Sequence, residues 1–195
     1  AFVEQGPEEA GQMLPGGGRD MSWQEMLCQK KFYGMCAMLL CGGLSGMMVI
    51  SSASDMAQVE AGFSPAAAAL MVSVLSLFNA GGRASAGILS DKLGRIGTLS
   101  LVFPISVAAL CALFFFGQDS MAVFAVSIAL GGACFGALMG IFPGFTADEF
   151  GQRNNTVNYG ILFFGFALSG MLGPQVASWV MSGTGSYRSA FLIAA

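Results

Sequence analysis

Arg83 is the one ionisable side chain that lies well inside a long apolar run of this chain. A cation at such depth must face a water-filled path or a polar partner. The alternative is an arginine whose stem snorkels its charge back to a nearby surface. Ser76, Asn79, Arg83, Gly87 and Ser90 recur at three- and four-residue steps, so they share one helical face, while Val74, Phe78, Ile88 and Leu89 lie away from it. The polar neighbours Ser76 and Asn79 favour the path. About two helical turns further on, ~12 Å along the axis, Gly87-Ile88-Leu89-Ser90-Asp91-Lys92-Leu93-Gly94-Arg95 forms a short charged turn. There Gly87 allows a close helix approach, Asp91 can face the positive end of a neighbouring helix, and Lys92 and Arg95 hold a membrane face. An ordinary charged turn is the plainer account of the same residues.

Little else in the sequence could do covalent chemistry. Histidine is absent, which removes the commonest general base and zinc ligand. Cys36, Cys41, Cys111 and Cys134 lie inside apolar runs and form no Cys-x-x-Cys pair, so they read as small apolar side chains. A net charge of −3 provides no basic patch for nucleic acid. No catalytic residue, no metal site and no cofactor is expected. Ser169, Gln175 and Tyr159 are weaker candidates, since uncharged polar groups in such runs commonly bond helix to helix. Trp179 reads as an interface anchor, and Asp148, Glu149 and Arg153 as a solvated cluster.

The elements that hold these residues are set by composition. The chain is 55% hydrophobic and 10% charged, with a mean hydropathy of +0.70. Soluble domains carry about 25% charged residues, so this chain lacks the charge to cover a wetted globule. Crossing a bilayer takes about 20 apolar residues. Segments 32–54, 66–90, 96–116, 121–145 and 157–182 meet that length, and a further one, 187–195, begins near the end of the chain and is read as cut short. The expectation is an all-α, multi-pass integral membrane protein. Residues 1–31 are polar and rich in Gly and Pro, and are expected to be largely disordered apart from a helix start at Ser22, with Glu25 at the capping-box position. Lys30, Lys31, Lys92, Arg95 and Arg153 fall at one end of the bundle, against Asp55, Glu60, Asp119 and Arg188 at the other. The positive-inside rule makes the first end cytoplasmic. Gly132, Gly136 and Gly140 form a small-residue groove for close helix packing and are assigned no chemistry.

The Gly87–Arg95 turn resembles the G-x-L-x-D-x-x-G-R signature of the major facilitator superfamily, which lies between the second and third helices of each six-helix half. Gly43–Ile50, Ala147–Gly151, Asn158–Phe163 and Gly170–Pro174 are similar to the C-terminal half of its oxalate:formate antiporter family and, more loosely, to the monocarboxylate transporters. The resemblance implies a six-helix half of a twelve-helix major facilitator bundle, with the sixth helix truncated, residues 1–31 as the cytoplasmic inter-half loop, and a missing N-terminal six-helix half as partner. It implies a secondary transporter for a small organic anion, with Arg83, Asn79 and Ser76 binding substrate. It also implies a conformational latch made by Gly87, Asp91, Lys92, Gly94 and Arg95. Relatives that handle oxalate place a lysine where this chain has Phe166, so a monocarboxylate suits it better than a dianion. Carriers of sugars or drugs, and a non-transporting receptor of the same fold, are the alternatives.

Overall fold

The computed structural model describes residues 20–195. The helices run α1 (Trp23–Leu27), α2 (Lys30–Ala61), α3 (Pro65–Leu93), α4 (Arg95–Phe116), α5 (Met121–Phe150), α6 (Asn155–Leu162), α7 (Phe164–Thr184) and α8 (Arg188–Ala194). Four of these, and α6 with α7 as one broken unit, are long and apolar enough to cross a membrane. The five expected spans are therefore all present, with corrected ends. Hydropathy marks the edge of hydrocarbon, whereas a helix ends where its backbone must turn. So α2 keeps Asp55 and Glu60 in helix until Gly62 closes it at φ 66°, and α5 carries Asp148 and Glu149 in its last turns up to Gly151 at φ 92°. Both glycines take a left-sided φ that a side chain would strain. Ser64, with Pro65 at the first helical position, starts α3, and Ser120 starts α5, each hydroxyl accepting a backbone N–H.

The fifth span departs most from expectation. It breaks at Phe163, between α6 and α7, and its N–H donates to the Tyr159 carbonyl at 2.8 Å. Phe163 keeps helical backbone angles, φ −65° and ψ −11°, and the Ala167 N–H donates to its carbonyl at 3.0 Å, so four-residue bonds run through the break.

Two close helix pairs organise the bundle. In the first, α5 lays Gly132, Gly136 and Gly140 against the backbone of α3. A Cβ at Gly132 would stand 2.8 Å from the Leu75 carbonyl oxygen, one at Gly140 2.7 Å from that of Arg83, and one at Gly136 would overlap that of Asn79. Gly82 returns the contact from α3 onto Ala133. Matching steps of four on both helices mean that they run parallel, backbone against backbone, as small residues permit. In the second pair, Gly43, Gly165 and Gly173 bring α2 and α7 together, and Cβ atoms on the last two would lie 3.0 Å from α2 backbone atoms. The central helix is α5, with 56% of its most apolar stretch buried; for α3 the figure is 17%. Side chains such as Leu70, Leu77, Ile88 and Trp179 stay largely exposed, Leu77 at 71%. A hydrocarbon solvent makes that exposure favourable.

The two ends are tied differently. At the basic end, Lys31 pairs with Glu149 at 2.6 Å, and Arg95 reaches Asp148 and Asp91, each at 2.9 Å. At the acidic end, buried Glu60 accepts from Gln118, the Ser186 hydroxyl and the Tyr187 N–H. Its carboxylate thus joins the loop after α4 and the loop before α8 to the end of α2. Burial raises the Tyr187 phenol above its usual range, and the nearby Asp55 and Glu60 carboxylates push it the same way.

The disorder expected of residues 1–31 does not hold for residues 20–31. Residues 1–19 lie outside the described residues, but from Asp20 onward the chain is held in place. The Met21 N–H donates to the Phe150 carbonyl at 2.9 Å, and the Met21 carbonyl accepts from Asn154 and Asn158, each at 3.1 Å. Ser22 and Glu25 complete the expected capping box of α1, and Met26 is fully buried.

Candidate functional site

The candidate residues lie on α3, whose three sides have different neighbours. One side meets the α5 glycines through Leu75, Gly82 and Ala86. A second carries Leu70, Leu77, Gly81 and Ile88, exposed and apolar or small. Ser76, Asn79 and Arg83 lie along the border of the packed side, brought together at successive turns as their spacing requires. Arg83 and Ser76 are exposed and Asn79 is half-buried. Among the described residues, Arg83 makes no ion pair. The Ser76 hydroxyl donates to the Val72 carbonyl at 2.8 Å, leaving its lone pairs outward.

Tyr159 on α6 stands at the level of Arg83, since Asn155, one turn earlier, bonds the Pro143 carbonyl of α5 at 3.2 Å and nearby Gly140 meets the Arg83 backbone. The chain order gives no hint of this placing, because it depends on how α6 folds back after α5. From Tyr159 a row of rings continues: Phe163 at 5.4 Å between centroids, Phe166 at a further 4.6 Å, and Phe135 of α5 at 6.0 Å beyond that. Ser169 and Gln175 stand apart from Arg83. Ser169 is fully buried and its hydroxyl donates to the Phe166 carbonyl, while Gln175 is exposed. A separate groove between α2, α4 and α5 has Ser45 and Ser106 among its lining and no charged side chain.

The charged turn takes a compact form. Gly94 sits at φ 78° as both the end of α3 and the start of α4, which explains why glycine is needed there. Arg95 turns inward, bonding Ser90, Asp91 and Asp148. Of the face expected to be open, Ser90 is therefore buried at the Arg95 end. Lys92 and Asp91 remain exposed. Among the described residues nothing lies within 4 Å of a would-be Cβ at Gly87; the close helix approach within this chain is made at Gly82 instead. Asp148 and Arg153 are exposed, in keeping with a solvated cluster, but Asp148 and Glu149 are each also paired, with Arg95 and Lys31.

The glycines of α5 matter to the site although their spacing suggested packing alone. Gly136 and Gly140 touch the backbone of Asn79 and Arg83, so they set how far those residues stand from the bundle. The signal was readable: three glycines at steps of four match Leu75, Asn79 and Arg83 at the same steps.

What the arrangement can do is hold an anion. A guanidinium stays charged at any physiological pH and can grip a carboxylate with two parallel hydrogen bonds, while Asn79 can donate beside it, as can Ser76 once its hydroxyl turns from the Val72 carbonyl. Among the described residues no group of His, Cys, Asp and Glu is placed to hold a metal ion.

Comparison with known proteins agrees with this architecture. The family model described as Major Facilitator Superfamily matches residues 34–195. The chain is 33% identical over 150 residues, 77% of its length, to a protein named as an uncharacterized MFS-type transporter YhjX of Escherichia coli (strain K12), covering 37% of that protein. It is 25% identical over its whole length to the oxalate:formate antiporter of Oxalobacter formigenes, covering 47% of it. It is also 26% identical over 69% of its length to monocarboxylate transporter 12 of Xenopus laevis, covering 30%. The chain thus spans less than half the length of each of these curated relatives. With its all-α, multi-pass bundle and a family match across most of its residues, the chain belongs to the major facilitator superfamily.

Proposed function

We propose that this chain is the C-terminal half of a secondary carrier that moves a small organic anion across a membrane by alternating access. The observation that carries the reading is Arg83: a guanidinium well within a span, exposed and without an ion pair among the described residues, beside Asn79 and Ser76. An uncompensated charge at such depth is costly, and a bound anion relieves it. In the carrier the preceding half would face this side of α3, with substrate held between the two near the midplane. Empty, the cavity resists closing around a bare cation. Loaded, the pair is neutral and closing is easier, which couples movement to occupancy. The relatives named for oxalate, formate and monocarboxylates support a carboxylate as the anion. No bond is made or broken, so the protein is a carrier and not an enzyme.

The Gly87–Arg95 turn acts in this reading as a latch. Asp91 and Lys92 are exposed at the basic end, where they can meet the other half, while Arg95 anchors the turn to α5 through Asp148. The basic end is cytoplasmic by the distribution of Lys and Arg. Counterflow uptake by the intact carrier in liposomes tests the site: Arg83→Ala is expected to abolish carboxylate uptake while insertion and folding persist. Undiminished uptake by that variant would remove Arg83 from the substrate path.

A further inference from the structure

Four rings form an unbroken row from α6 through α7 to α5. Tyr159, Phe163 and Phe166 are each half-buried, and Phe135 backs the row at 6% exposure. Successive centroids stand 5.4, 4.6 and 6.0 Å apart at interplanar angles of 54°, 41° and 32°. These are distances at which aromatic faces and edges attract. Tyr159, Phe163 and Phe166 follow at steps of four and three, so the row runs along one helical face from α6 onto α7. Gly43 of α2 makes room for Ser169 and for the third ring: a Cβ there would overlap the Ser169 hydroxyl and stand 3.2 Å from Phe166 Cδ2. Nothing charged interrupts the row, and its first member stands at the level of Arg83: Asn155, one turn before Tyr159, bonds the Pro143 carbonyl of α5 at 3.2 Å, and Gly140, three residues before Pro143, meets the Arg83 backbone.

We infer that Tyr159, Phe163 and Phe166 form a specificity wall that selects a monocarboxylate carrying an aromatic or similarly flat apolar body, its carboxylate on Arg83 and its body along the rings. The inference rests on the anion reading above and narrows it. A flat apolar body would exchange water for ring contacts at no polar cost. A second carboxylate in the same place would be stripped of water and given no partner, which is strongly unfavourable. Acetate would reach the cation but leave the wall unused. The wall therefore discriminates in two directions, against dianions by desolvation and against small monocarboxylates by lost contact.

The test is a counterflow assay on the intact carrier in liposomes with three probes: acetate, phenylacetate and oxalate. The expected result is a KM for phenylacetate about tenfold or more below that for acetate, as one to two ring contacts would give, with oxalate taken up least. Phe166→Leu keeps apolar volume but removes the ring, so it should erase most of that preference, raising the phenylacetate KM toward that for acetate. Phe163→Leu should act in the same direction, and it covers the case in which the Phe166 variant fails to fold. Equal KM values for acetate and phenylacetate, preferred uptake of oxalate, or a preference that survives both ring removals would each overturn the wall. Those outcomes would leave the anion site standing if Arg83→Ala still abolished uptake. Loss of both together requires that none of the probes be carried, or that the carriage ignore Arg83.

Discussion

Gly81 and Gly82 are adjacent on α3, identical in chemistry and opposite in surroundings. A Cβ on Gly82 would overlap the Ala133 carbonyl of α5, whereas a Cβ on Gly81 would find nothing within 4 Å. One side of α3 is thus committed to packing, backbone against backbone; the other is left exposed by the described residues. Arg83, Asn79 and Ser76 lie between, on the border of the packed side. The difference teaches how a thinly buried helix can hold a charge steady: the α5 glycines fix its backbone, so the side chains on its border need no contacts of their own to be positioned. Stability and binding are carried by different sides of one helix, and substitutions should separate them.

The strongest challenge to that division is Gly136→Val, which drives a branched side chain into the Asn79 carbonyl. Overpacking of this kind costs about 3 kcal/mol, and it moves the site as well, so thermal unfolding in detergent and anion uptake should both suffer. The adjacent pair comes next. Gly82→Ala should destabilise the bundle by about 2 kcal/mol through its clash with Ala133, while Gly81→Ala should be neutral or stabilise it by up to about 1 kcal/mol through better helix propensity. Equal effects of the two on the melting temperature would contradict the two-sided account of α3. The smallest effect belongs to the turn. Asp91 is exposed and its pair with Arg95 is a surface one, worth about 0.5 kcal/mol or less. Asp91→Asn should therefore leave the melting temperature nearly unchanged. A latch role would show instead in how the carrier divides its time between access states, read by accessibility of cysteines placed at the two ends.

Much of this was legible in the sequence, and the failures have physical causes. Hydropathy located every span, because the length of an apolar run reports bilayer thickness directly. It misplaced the ends of α2 and α5, since Asp55, Glu60, Asp148 and Glu149 can stay helical outside hydrocarbon until Gly62 and Gly151 turn the chain. The seam of Ser76, Asn79 and Arg83 followed from helical period alone. Which glycines make close approaches did not, because that depends on the neighbouring helix: Gly87 was given the contact that Gly82 makes. The placing of Tyr159 at the level of Arg83 and the end of the ring row on Phe135 were hidden for the same reason, as they depend on how α3, α6 and α7 pack around α5.

The account stands or falls on Arg83, and the most direct measurement compares carboxylate uptake by Arg83→Lys and Arg83→Ala carriers, each shown to insert and melt like the parent protein. The account predicts no uptake with alanine and weak uptake at much higher KM with lysine, which keeps the charge but loses the two-pronged grip. Full activity in either variant would contradict it.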